Sequence, residues 1–239
     1  LKCIQVTSAG LDRVPLDYCK AHGITVYNAG GVYSAPMAEF VLGGILQLYK
    51  ESKFFAGNQA AHRWEKHRGL RELSGKTACI IGTGSVGSAI ARRLRAFDVQ
   101  TVGMNRSGHP AAEFDQTQPT CRLDDLLPLA DLVICAMPLT AETAGLFDSV
   151  RIAKIKPGAV FVNVARGKVT DQQALVEVLQ SGQLFGAVLD VFEEEPLPRS
   201  SPLWDMEQVI LTPHNSFVGE HNGERLFRLI CKNLESFAQ

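Results

Sequence analysis

A chain of 239 residues, 46% hydrophobic and 21% charged, is long enough to bury a sizeable core and has the make-up of an ordinary globular protein. Its 24 lysines and arginines nearly cancel its 25 aspartates and glutamates, so no global field favours nucleic acid or an anionic membrane surface. No apolar run approaches the ~20 residues of a membrane span, and six scattered cysteines without a Cys-x-x-Cys pair point to a reducing, cytoplasmic setting.

The first thirty residues read strand, helix, strand over 3–6, 16–21 and 24–27. Two strands do not make a stable sheet, so these are expected to join one completed by further chain. Ser34 reads as the N-cap of a helix with Pro36 in its first turn and Glu39 near its start. That helix is apolar nearly all round and should be buried, with the Gly43-Gly44 pair marking close packing. Residues 57–73 are polar and basic around Trp64 and read as a solvated connector. From Lys76 the alternation becomes regular. Strands are expected at 77–81, 99–104, 132–136, 159–164, 186–190 and 209–211, with helices at 85–97, 123–130, 149–155 and 172–181. Six strands with crossovers make a doubly wound α/β unit, and 220–237 reads as a final amphipathic helix.

The unit is organised around Gly82-Thr83-Gly84-Ser85-Val86-Gly87, which lies between the first of these strands and its helix. Gly-x-Gly-x-x-Gly in that context is the dinucleotide-binding fingerprint. Gly82 permits the tight turn, Gly84 lets backbone N–H groups approach a pyrophosphate, and Gly87 lets helix and sheet pack closely. Ligands of open α/β sheets sit beyond the carboxyl ends of the strands. Those positions hold Asn105-Arg106-Ser107, Pro138-Leu139-Thr140, Ala165-Arg166-Gly167, Asp190 and Thr212-Pro213-His214, with Glu193-Glu194-Glu195 close behind. An arginine, a histidine and carboxylates suit hydride transfer to a carbonyl beside a carboxylate. Arginine can grip the carboxylate in a fork, and histidine can exchange the proton near neutral pH, oriented by one of the glutamates. No His/Cys/Asp cluster has metal-ligand spacing.

The run 162–167, then 189–198 and 211–214, resembles the D-isomer-specific 2-hydroxyacid dehydrogenase family. Residues 7–12 and 34–39 extend the likeness over nearly the whole chain. The resemblance implies a Rossmann domain at about 53–214 inserted into a flavodoxin-like substrate domain. The back part of that domain would be about 1–52, and the segment 215–239 a helix returning to it. It further implies that Arg166 binds the substrate carboxylate, that His214 is the acid/base and that Glu195 is its partner. Ser8, Ala9 and Gly10 would line the substrate side. Gly82, Gly84, Ser85, Val86, Gly87, Asn105, Arg106, Ser107, Pro138, Thr143, Ala165 and Asp190 would hold the cofactor, with Asp190 near the nicotinamide carboxamide. Family substrate domains have roughly half their chain upstream of the point matching Leu1, so Leu1 is expected to open a fragment of a longer protein.

NAD-using members usually place Asp at the end of the second Rossmann strand, where this chain has Asn105-Arg106-Ser107. NADP is therefore favoured over NAD. The expected reaction interconverts a small 2-oxoacid and its D-2-hydroxyacid, as in glyoxylate or hydroxypyruvate reductases. It would take place in a cytoplasmic homodimer without nucleic-acid, membrane or metal partners. The rival reading is a non-catalytic, nucleotide-sensing corepressor-like protein on the same fold.

Overall fold

The computed structural model describes residues 1–11 and 13–238; Asp12, within the 7–12 motif, lies outside them. Strands β1 (Cys3–Gln5) and β2 (Thr25–Tyr27) flank helix α1 (Leu16–Ala21) and pair with each other in a parallel two-stranded sheet. Helix α2 (Ser34–Tyr49) follows, and here one expectation is corrected. Ser34 is the first helical residue rather than the cap, which is Tyr33. The Tyr33 hydroxyl donates to the Thr7 carbonyl and its ring meets Phe217 edge-on, so tertiary contacts fix the helix entry one residue early. The Ser34 hydroxyl is left buried with no partner among the described residues.

Val41, Ile45 and Tyr49 on α2 are almost wholly buried. A Cβ on Gly44 would stand 2.6 Å from a Val188 methyl, whereas one on Gly43 would meet nothing within 4 Å. The pair therefore marks close packing through one member only. The expected connector at 57–73 is also partly helical. Helix α3 (Ser52–Ala60) begins after Glu51, whose left-handed backbone (φ +50°) breaks it from α2.

The large sheet contains β3 (Thr77–Ile81), β4 (Gln100–Asn105), β5 (Gln116–Pro119), β6 (Leu132–Cys135), β7 (Val160–Asn163), β8 (Gly186–Leu189) and β9 (Val209–Leu211). All are parallel, in the order β5-β4-β3-β6-β7-β8-β9, with the chain reversing direction between β3 and β6. Helices α4 (Ser85–Arg95), α5 (Leu123–Leu126), α6 (Ser149–Ala153) and α7 (Gln172–Gln180) make the crossovers. The seventh strand, β5, escaped the sequence because Gln-Thr-Gln-Pro has no apolar face. An edge strand need not have one and tolerates proline. The sheet is covered on both faces. One apolar layer joins Ile80, Ile134, Val160 and Val188 to α2 and α4, and the other joins Phe161, Ala187 and Leu189 to α7.

At the opposite end from the site, Asp131 ties the sheet together. It accepts from the Thr77 amide (3.0 Å) and pairs with Lys156 (2.8 Å). Burial alone would raise its pKa, but the Lys156 bond and the Thr77 amide outweigh it and hold the carboxyl below the usual range. Helix α8 (Asn222–Ala238) closes the chain against the N-terminal segment, with Asn233 donating to the Gln5 side chain (2.7 Å) and Arg225 to the Val32 carbonyl (2.8 Å). No helix among the described residues is long and apolar enough to cross a membrane.

Candidate active site

Because the strands of the large sheet are parallel, their carboxyl ends share one edge, and the reversal between β3 and β6 opens a crevice there. Gly82 sits at its floor with φ +107°, where a Cβ would lie 2.6 Å from the Ala136 carbonyl oxygen. A Cβ on Gly87 would lie 1.8 Å from the Gly82 carbonyl oxygen. Gly84, the residue capping α4, has nothing within 4 Å of its Cβ position. Two glycines are thus demanded by the protein's own packing, while the middle one faces open space. Beside it the first-turn N–H groups of Ser85, Val86 and Gly87 have no intrahelical acceptor. This is a cradle that fits a pyrophosphate.

Two adjacent strands, β8 and β9, bring a histidine and its carboxylate partner together. Asp190 directly follows β8 and is 1% exposed, yet its carboxylate is fully engaged. It accepts from the Thr212 hydroxyl (2.5 Å) and from the Asn215 (2.7 Å) and Ser216 (3.0 Å) amides. These bonds clamp the turn after β9, in which His214 adopts φ +53°, a left-handed backbone that residues other than glycine rarely take. The His214 amide donates to the Asp190 carbonyl (2.8 Å), which completes the clamp. The imidazole Nδ1 lies 2.8 Å from Glu195 Oε2, and Glu195 Oε1 accepts from the Phe192 amide (3.1 Å). Of the three consecutive glutamates, Glu195 is therefore the one paired with His214. Glu193 instead accepts from the Gln172 amide at the start of α7.

Arg166 lies at the end of β7, between the cradle and the His214 turn in sheet order, and donates to the Ala165 carbonyl (2.7 Å). Its neighbour Gly167 is pressed so closely on the 192–193 backbone that a Cβ would stand 1.8 Å from the Phe192 oxygen. That contact ties the arginine loop to the segment carrying Glu195. Sequence reading placed this glycine at a strand end beside Arg166 but gave it no role. It also passed over Tyr33 and Phe217. Phe217 meets both Tyr33 (5.7 Å between centroids) and His214 (6.3 Å), and Tyr33 reaches Thr7. The chain of contacts joins the His214 turn to the loop holding Ser8, Ala9 and Gly10. That loop is braced by Ser8 donating to the Gly10 carbonyl (2.8 Å) and Asn28 to the Ala9 carbonyl (2.8 Å).

On the other flank, Asn105 ends β4, and its side chain organises the loop that follows. Its amide donates to Thr83 Oγ1 (3.2 Å) and the His109 carbonyl (2.8 Å), while its oxygen accepts from the Gly108 (2.7 Å) and His109 (3.1 Å) amides. Ser107 Oγ lies 3.1 Å from His109 Nδ1, and Arg106 pairs with Glu142. After β6, Thr143 donates to the Pro138 carbonyl (2.7 Å) and fixes the turn at 138–143. Cys79 and Cys135, inside the sheet, offer no rival chemistry. Burial pushes the Cys79 thiol up to about 12 and raises Cys135 as well, so neither is a thiolate at neutral pH. No metal-binding cluster occurs among the described residues.

A cradle for a dinucleotide, an arginine and a carboxylate-paired histidine on one sheet edge define a nicotinamide-dependent dehydrogenase. Residues 42–216 match the family described as D-isomer specific 2-hydroxyacid dehydrogenase, NAD binding domain. The chain belongs to that family and is an NAD-dependent 2-hydroxyacid dehydrogenase. It is 35% identical to glyoxylate reductase of Thermofilum pendens over 98% of this chain and 71% of that protein. It is also 35% identical to glyoxylate/hydroxypyruvate reductase B of Salmonella newport, over 90% of this chain and 68% of that one. A crystal structure of a D-isomer specific 2-hydroxyacid dehydrogenase from Xanthobacter autotrophicus Py2, in complex with NADPH and MES, superposes with a TM-score of 0.79. It shares 32% identity and covers 92% of this chain and 69% of that one.

Proposed function

We propose that the protein reduces a small 2-oxoacid such as glyoxylate or hydroxypyruvate to the D-2-hydroxyacid, with Arg166, Glu195 and His214 as its working residues. The observation that carries the proposal is the 2.8 Å contact between His214 Nδ1 and Glu195, two strand ends from Arg166. With Nδ1–H donated to the carboxylate, Nε2 is the nitrogen left to exchange a proton with the substrate oxygen. Arg166 grips the carboxylate of the same substrate, which fixes its carbonyl for attack on one face. A bound reduced nicotinamide would supply a hydride to the carbonyl carbon, and His214 would supply the proton to the carbonyl oxygen. In the reverse direction neutral His214 removes the hydroxyl proton. Asp190 supports the reaction through the turn it clamps, whatever it also offers a nicotinamide carboxamide, and Ser8, Ala9 and Gly10 wall the substrate side.

Ser85, Val86, Pro138, Thr143 and Ala165 complete the cofactor cleft around the glycines, and NADP is the favoured cofactor. Position 105 has no carboxylate to repel a 2′-phosphate, and Arg106 and Ser107 offer donors to one. One solved relative is in complex with NADPH and another with NAD, so the preference rests on positions 105–107 of this chain. Residues 53–214 act as the cofactor domain, with 1–52 and 215–239 on the substrate side. Exposed Phe55 and Trp64 support a homodimer, and six free cysteines support a cytoplasmic location.

The test is turnover of glyoxylate and hydroxypyruvate with NADPH and NADH, alongside the oligomeric state by light scattering. Binding of nucleotide without turnover of any 2-oxoacid would instead favour a nucleotide-sensing, corepressor-like protein.

A further inference from the structure

We propose that Glu142 sets the nucleotide selectivity of the cleft, holding Arg106 as an internal anion that a ribose 2′-phosphate has to displace. The inference rests on the reading above that Arg106 meets the 2′-phosphate. Arg106 follows β4 and Glu142 lies in the turn after β6. These strands flank β3, so the two loops face each other across the glycine cradle at the end of β3. Arg106 Nη2 lies 2.5 Å from Glu142 Oε2, although both side chains are exposed at 81% and 66%.

Both loops are held by bonds of their own. Asn105 braces one through Thr83, Gly108 and His109. In the other, the Thr140 amide donates to Thr143 Oγ1 (2.8 Å) and the Glu142 amide to Thr140 Oγ1 (3.3 Å). The ion pair thus spans two fixed walls, and its guanidinium is the charged donor closest in sequence to the ribose-reading position. A phosphate dianion presents more charge and more acceptor oxygens than one carboxylate contact, so it can take the guanidinium from Glu142. Binding the phosphorylated nucleotide then costs the ion pair and leaves a carboxylate facing the phosphate. Binding the unphosphorylated nucleotide leaves the pair intact. Glu142 therefore weighs against NADP alone, and the net preference is the gain at Arg106 less this cost.

The experiment measures dissociation constants of NADP⁺, NAD⁺ and 2′,5′-ADP by calorimetry for wild type, Glu142→Gln, Arg106→Ala and the double variant. Glu142→Gln should tighten NADP⁺ and 2′,5′-ADP by about three- to tenfold at low salt and leave NAD⁺ within about twofold. In the Arg106→Ala background that gain should shrink towards unity. If Arg106→Ala weakens NADP⁺ but Glu142→Gln shifts neither nucleotide, or shifts both alike, the role of Glu142 is overturned and the Arg106 reading stands. If Arg106→Ala leaves NADP⁺ and 2′,5′-ADP unmoved, the Arg106 reading itself fails, and the inference with it.

Discussion

The glycine cradle at 82–87 and the His214 turn lie on the same sheet edge, yet they are built in opposite ways. The cradle is local in sequence: its glycines fall within six residues, with Gly87 pressed on the Gly82 carbonyl and only Gly82 facing a distant one, that of Ala136 just after β6. The His214 turn is assembled from three separated segments. Asp190 clamps its backbone, Glu195 orients its ring, and Phe217 links it to Tyr33. A nucleotide phosphate is recognised by backbone N–H groups, which any short stretch of correct geometry can supply. Proton transfer needs one side chain at one place, and that takes partners brought in from a distance.

The sharpest way to break the comparison is at the two later glycines. Gly87→Ala should cost more than about 4 kcal/mol or prevent folding, because its methyl meets backbone that cannot yield. Gly84→Ala should leave the melting temperature within about 2 °C and weaken NAD(P)⁺ by about tenfold or more, since only the ligand's space is filled. Equal stability losses in the two variants would remove the distinction between packing and binding glycines.

The next effect belongs to the proton. Asparagine tolerates the left-handed backbone of position 214, so His214→Asn should keep the fold and the cofactor affinity while kcat falls about 10²–10⁴-fold. A kcat within about threefold of wild type would take the acid/base role from His214.

Glu195→Gln should be milder, lowering kcat about ten- to a hundredfold. A kcat within about twofold of wild type would mean that the 2.8 Å contact is not a working one.

The smallest effect lies away from both regions. Asp131→Asn should cost about 1–3 kcal/mol at neutral pH through the weakened bonds to Thr77 and Lys156. The folded carboxyl lies below its usual value, so its contribution is complete above the unfolded pKa of about 3.9. It is lost as pH falls through the lower folded value. The stability gap between wild type and variant should therefore close below about pH 4, with cofactor binding at neutral pH unaffected. Weakened cofactor binding in the folded variant would show that this end of the sheet is coupled to the site.

Amino-acid order alone determined the features that are short-range or periodic. The six apolar strands and the spacing of the fingerprint glycines are written in short stretches of chain, as burial pattern and as residues without a Cβ. Arg166, Asp190 and His214 were legible as strand-end residues because a parallel sheet puts those ends on one edge. Tertiary structure decided what depended on partners distant in sequence. Strand β5 exists because β4 offered it an edge, and Tyr33 displaced Ser34 as a cap because Thr7 and Phe217 were within reach. Among three successive glutamates of nearly equal local character, residue chemistry made no choice and the family resemblance named Glu195. Only folding brought one of them to His214, another to the start of α7, and Glu142 across the cleft to Arg106. Local sterics act within a turn of chain, whereas a side chain's hydrogen-bond partner is chosen by whatever the fold brings within 3 Å of it.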